Sequence, residues 1–162
     1  MLKIFAKYII SFLVLFGVSC GKTELRFIPT ATYPSLKEER LGQSSYYVEI
    51  PESIFIDEAR GVEGQHGFGL WQRDSVNRFR SSSGFIEIEP GSPIGGGQDN
   101  DKLIEKVRSH LLDRIVTWEI RKTETGYFGA GAHKGKLTVG ASSLTRNGLD
   151  SVIAIIATLS SR

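Results

Sequence analysis

DNDKLIEKVRSHLLDRIVTWEIRK, residues 99–122, sets two different periods side by side. In its first half Leu103, Ile104, Val107 and Leu111 recur at helical spacing, Asp99 or Asn100 can cap, and Asp101 sits where a helix dipole favours an acid. A helix is predicted there, running through about Leu112. In the second half RIVTWEIRK, residues 114–122, alternates: Ile115 faces opposite to Val116, Trp118 and Ile120, as in a strand with one face buried. A helix leading into a strand, with more strands to either side, gives an α+β plan in which the helix covers one face of a sheet.

Toward the C-terminus, TETG can turn this strand into YFGAGAH (127–133), and KGK can turn that one into LTVGASSL (137–144). Asn147-Gly148 is a hairpin signal before a last strand at 151–160, whose VIAIIATL run has the length and β-branching of a buried strand. Toward the N-terminus, PGSPIGGGQDN (90–100) is the clearest loop. Before it, YYVEI (46–50), SIFIDE (53–58), GFGLWQR (67–73) and GFIEIEP (84–90) read as strands, the first two separated by Pro51 and Glu52. The expectation is an antiparallel sheet of about seven or eight strands with one main helix packed on it, all within a single domain spanning residues 45–162.

Residues 1–19 carry Lys3 and Lys7, no acid, an apolar segment from Ile9 to Val18, and Ser19 just before Cys20, the only cysteine in the chain. A charged start, a short apolar run and a small exit residue make a secretory signal, too short for a membrane-spanning helix. The segment resembles a bacterial lipoprotein signal, in which the cysteine becomes the first mature residue and carries lipid, palmitate included. The resemblance implies lipid attachment at Cys20. The alternative, an ordinary secreted protein, leaves an unpaired thiol in an oxidising compartment. Each buried methylene contributes about 0.8 kcal/mol, so several acyl chains make detachment negligible. Removing 19 residues leaves 143 of the 162 and takes away two of the 20 basic residues and none of the 18 acidic ones, a balance of 18 against 18. A neutral mature chain has no general attraction to nucleic acid.

Residues 20–44 read as a lipidated tether. If flexible they span on the order of 25 to 30 Å, with one or two helical turns where Ser35 and Glu38 form a capping box before LKEERL. The element order is similar to that of the Mog1/PsbP/DcrB-like fold, which includes small bacterial lipoproteins. YYVEIP, EGQHGFGL and PIGGG also resemble small Bacteroidetes lipoproteins, a resemblance that implies no activity. Gly21 lacks the aspartate associated with inner-membrane retention in some lipoproteins, which favours the outer membrane over the inner.

No motif carries chemistry strongly. His66, His110 and His133 lack metal-ligand spacing, so no metal or other cofactor is expected; a site assembled from His66, His133 and Glu63 competes with scattered surface histidines. No raised nucleophile of the G-x-S-x-G kind occurs. GSPIGGG before a helix invites a phosphate, but it lacks the Lys-Ser/Thr pair, and Asp99 and Asp101 would repel the anion. EARGVEGQHGFGL (58–70) places Arg60, Glu63 and His66 in a long glycine-rich connection, where functional contacts concentrate; a hairpin with a generous loop explains it too. QRDSVNRFR sets Arg78 and Arg80 around Phe79, either a contact for an acidic partner or a solvated loop.

These readings converge on a cell-envelope lipoprotein whose domain binds a protein partner or ligand, an immunity protein or an envelope assembly factor being examples. The other class is an enzyme acting on cell-wall or carbohydrate substrate. A deep pocket of converging titratable groups would mark the enzyme, and an exposed apolar or arginine–aromatic patch the binding module.

Overall fold

The computed structural model describes residues 24–32, 34–60, 66–73, 79–88 and 101–162. Ten strands and one helix are present among them: β1 Leu36–Arg40, β2 Tyr46–Pro51, β3 Ile54–Arg60, β4 His66–Arg73, β5 Phe79–Ile88, β6 Lys102–Leu111, β7 Arg114–Lys122, β8 Tyr127–His133, β9 Leu137–Ser143, α1 Arg146–Ile156 and β10 Ser160–Ser161. β3 to β9 form a seven-stranded antiparallel sheet in the order β3-β4-β5-β9-β8-β7-β6, and β1-β2-β10 form a smaller antiparallel sheet. Two meanders, β3–β5 and β6–β9, are therefore joined through the β5–β9 pairing. The chain is α+β, mostly sheet, with one helix packed on it.

Strands β2, β4, β5, β7 and β9 form where apolar side chains fall two apart on one face, whereas β8 turns Gly129, Gly131 and His133 inward, its glycines lying against Ile120 and Trp118. Phe68, Leu70, Ile86, Val116, Trp118, Ile120, Leu137, Val139 and Ala141 bury the apolar face in one core. The helix supplies the other side of the core with Leu149, Val152, Ile153 and Ile156, spaced three and four apart. Its approach to β5 depends on Gly84: a Cβ there would stand 3.0 Å from Val152 Cγ1 and 3.2 Å from Ile156 Cδ1.

Three expected elements are corrected. The helix expected through Leu112 is strand β6. Val107, Ser109 and Leu111 face inward two apart, and β7 returns alongside after a turn at Leu112–Asp113, with Leu112 at φ 56°. Leu103 and Ile104, needed inside by the helix, are 41% and 44% exposed. The final strand expected at 151–160 is mostly α1. Thr145 caps it by accepting from Gly148 N at 3.1 Å, so Asn147-Gly148 opens a helix and turns no hairpin. The helical turn expected in LKEERL is β1, paired from Leu36↔Pro51 to Arg40↔Tyr47.

Much of the segment expected to be a tether is built into the domain. Ile28, Ala31 and Leu41 are buried; Ile28 N donates to Arg108 O at 2.7 Å, and Ala31 N to Ala154 O at 2.9 Å. The carboxyl end is fastened as well. Ser160 pairs with Tyr47, Arg162 N donates to Ser45 O at 3.0 Å, and the Arg162 guanidinium reaches Glu38 at 2.6 Å and lies over the Tyr47 ring.

Candidate functional site

β2 belongs to the small sheet and β3 to the edge of the large one, yet only Glu52 and Ser53 separate them. So short a connection between strands of different sheets splays the two sheets apart and leaves a cleft of about 600 Å³. Ile50, Ile54 and Phe68 give it an apolar floor, and Lys37, Glu39, Arg40, Glu52 and Glu58 also line it. One wall passes through Gly42, whose φ of 55° suits glycine, and whose missing Cβ would stand 3.1 Å from the Phe68 ring and 3.2 Å from Glu58 Oε2. A side chain at position 42 would intrude on that wall.

Most of the cleft's charge is already committed. Lys37 donates to Glu39, its neighbour two residues along β1 on the same strand face. Arg40 donates to the carbonyls of Ser44 at 2.7 Å and Gln43 at 3.0 Å, holding the β1–β2 turn. Two further carboxylates line the cleft, Glu52 from the β2–β3 turn and Glu58 from β3. An apolar floor bordered by charges of both signs suits a ligand or side chain that is apolar in body and polar at its ends.

The residues singled out from sequence are dispersed. Arg60 pairs with His66 at one end of the β3–β4 ladder, whereas Phe79 pairs with Arg73 and Arg80 with Gln72 at the other. Seven residues of β4 separate the two ends, roughly 23 Å of strand. Cys20, Glu63, Arg78 and the 90–100 loop lie outside the described residues. His66 and His133 share one row across the sheet, with Ile88 and Leu137 between them. Three strand spacings, about 14 Å, therefore separate their backbones.

His133 is buried, contrary to the expectation of a surface histidine. Its Nε2 lies 3.1 Å from Asp113 Oδ1, and its Nδ1 has no hydrogen-bond partner among the described residues. The hydrogen bond with His133 holds the exposed Asp113 carboxyl below the usual carboxylate range. Among the described residues no three of His, Cys, Asp and Glu gather as metal ligands.

A second polar constellation was not foreseen. Arg26 grips Asp150 through both terminal nitrogens, at 2.8 and 3.1 Å, and Glu105 through Nε at 3.0 Å; Arg146 bonds the same two carboxylates, Glu105 at 2.6 Å. Burial alone would push the Glu105 and Asp150 carboxyls up, but the hydrogen bonds from Arg26 and Arg146 outweigh it and hold both below their ordinary values. The bonds to Asp150 and then Glu105 raise Arg26 in turn. Two cations balancing two anions pin the incoming chain to β6 and to the first turn of α1. The Arg146–Asp150 spacing of four was visible in the sequence, but only to a reader who had already placed a helix there.

Among the described residues no helix is long and apolar enough to cross a membrane. Compared with models of protein families, with curated proteins and with solved structures, the chain has no significant match in any of the three.

Proposed function

We propose that this chain is a lipid-anchored protein of a bacterial cell envelope, held through acyl groups on Cys20, whose domain binds a partner or ligand and catalyses no reaction. The observation that supports it is the lining of the cleft between β1–β2 and β3. Lys37 and Glu39 neutralise each other and Arg40 is spent on backbone carbonyls, which leaves a surface shaped for contact. An immunity protein that blocks a toxin at the membrane and an envelope assembly factor both work by such occupancy. The outer membrane is the favoured location. No nucleic-acid partner is expected for a neutral mature chain.

The competing class, an enzyme on cell-wall or carbohydrate substrate, draws on Glu52 and Glu58 lining one cleft, since glycoside hydrolysis needs two carboxyl groups. One experiment separates the two. The tagged protein is solubilised from membranes, cross-linked partners are identified by mass, and the capture is repeated with Lys37→Glu and Glu52→Lys. A stoichiometric partner lost in both variants supports binding at the cleft. Turnover of a cell-wall fragment that Glu52→Gln abolishes, with no partner recovered, overturns it.

A further inference from the structure

The described chain begins beside the large sheet's outer strand, β6, and its direction there is fixed. Arg108 N donates to Arg26 O at 2.9 Å and Phe27 bridges Arg108 in parallel, so residues 24 to 28 run alongside β6 in the same sense. Traced backward, the chain therefore heads toward the start of β6. That end of the sheet is a single row: Lys102 of β6 opposite Lys122 of β7, Lys122 opposite Tyr127 of β8, and Tyr127 opposite Ser143 of β9. The Arg26 clamp onto Glu105 and Asp150 sits just behind this row. From Cys20 to Glu24 the chain reaches at most about 14 Å. On the lipid-anchor reading, this end cannot stand far from the bilayer.

Its surface has the matching chemistry. Five large apolar side chains are exposed among the described residues, and three of them lie at this end of the sheet, Leu103 (41%) and Ile104 (44%) on β6 and Leu144 (73%) just after β9, three strands across. Lys102 and Lys122 are exposed and directly opposed, an arrangement that costs stability within a sheet and is relieved by an external anion. Lys122 also lies over the Tyr127 ring, 5.3 Å from its centre. Asp101 and the exposed Glu124 of the β7–β8 turn share this end, and around them aliphatic residues interleave with lysine and tyrosine as on a surface that sits in the headgroup region of a membrane.

We propose that this end of the sheet, built from Lys102, Leu103, Ile104, Lys122, Tyr127 and Leu144, rests on the bilayer surface, with the aliphatic side chains at the acyl boundary and the two lysines on lipid phosphates. The inference rests on the lipid anchor proposed above and adds an orientation to it. The opposite sheet end, with Ile115, Asp113 and His133, then points away from the membrane.

The test uses the full lipidated chain. Once Cys20 is acylated, a cysteine introduced as Leu144→Cys, or as Ile115→Cys for control, is the only free thiol and takes an environment-sensitive fluorophore. Both positions are exposed, so neither label disturbs the core. The proteins are reconstituted into vesicles of phosphatidylethanolamine and phosphatidylglycerol, with and without a lipid-borne quencher, and floated. Quenching severalfold stronger at position 144 than at 115 is expected, and Leu103→Asp with Ile104→Asp should reduce it at least twofold. Flotation with equal quenching at the two positions overturns the orientation and leaves the anchor standing. Failure to float, with a mass showing no acyl group, overturns the anchor and the orientation together.

Discussion

Ser109 and Trp118 test whether residues 102–111 are strand or helix. In β6 the Ser109 hydroxyl points into the core and accepts from the Trp118 indole nitrogen at 2.8 Å; both residues are 0% exposed. In a helix that turned Leu103, Ile104, Val107 and Leu111 inward, Ser109 would face outward and its replacement would be neutral. In the strand, Ser109→Ala strands a buried indole N–H where no water reaches, at a cost of about 1–3 kcal/mol. For a domain of about 140 residues, unfolding entropy near 0.3 kcal/mol per degree turns 2 kcal/mol into a fall of about 7 °C in Tm. Thermal and urea denaturation of Ser109→Ala, Trp118→Phe and the double variant close a cycle. The cost of Ser109→Ala should drop by about 1 kcal/mol in the Trp118→Phe background, because no donor then needs satisfying. A single variant within about 0.5 kcal/mol of wild type, or the same cost in both backgrounds, would refute the strand register.

Gly84→Ala should lower stability by about 1–3 kcal/mol, read from the urea midpoint, because its methyl group meets Val152 and Ile156 on a buried helix. Thr145→Ala should cost about 1 kcal/mol by removing the acceptor for Gly148 N, whereas Thr145→Ser should cost far less. Arg146→Ala should cost about 1–2 kcal/mol at neutral pH by leaving Glu105 and Asp150 with Arg26 alone. Both carboxyls are held below their ordinary values, so the stabilisation is complete above the unfolded pKa and fades as pH falls through the folded one. The gap between Arg146→Ala and wild type should therefore close below about pH 4, measured by denaturation across pH.

What the sequence revealed and what it hid follow from how many sides of each element are covered. β7 has one wet face and its alternation located it, while apolar β-branched runs and the turn residues between them located β2, β3, β8 and β9 to within a residue or two. β6 also alternates, but its middle inward position is Ser109, which counts as polar until the Trp118 indole, opposite Val107, is known to reach it diagonally. The exposed Leu103 and Ile104 then completed a false helical stripe. α1 failed for the converse reason. It lies against β5, β8 and β9 on one side and β2 on another, with Ile155 buried as well as the main stripe, so Val152 to Leu159 shows no polar face and passes for a strand. The cleft was invisible because Lys37, Arg40, Ile54 and Glu58 come together only through the divergence of two sheets at Glu52–Ser53, a long-range event with no local signature. The Arg26 clamp likewise joins residues up to 124 positions apart.

Fastening the last residues to β2 and burying α1 beneath the large sheet also dictates when the molecule can close. Until Ile156 and Ser160 have been synthesised, Ile86 and Val139 lack the helix that packs on β5 and β9, and β2 lacks its second neighbour. Such sequence-distant closure slows folding toward the millisecond-to-second range. A chain that traverses a membrane as an unfolded thread, as the proposed export requires, gains from a fold whose closing helix lies so far along the chain from the strands it covers.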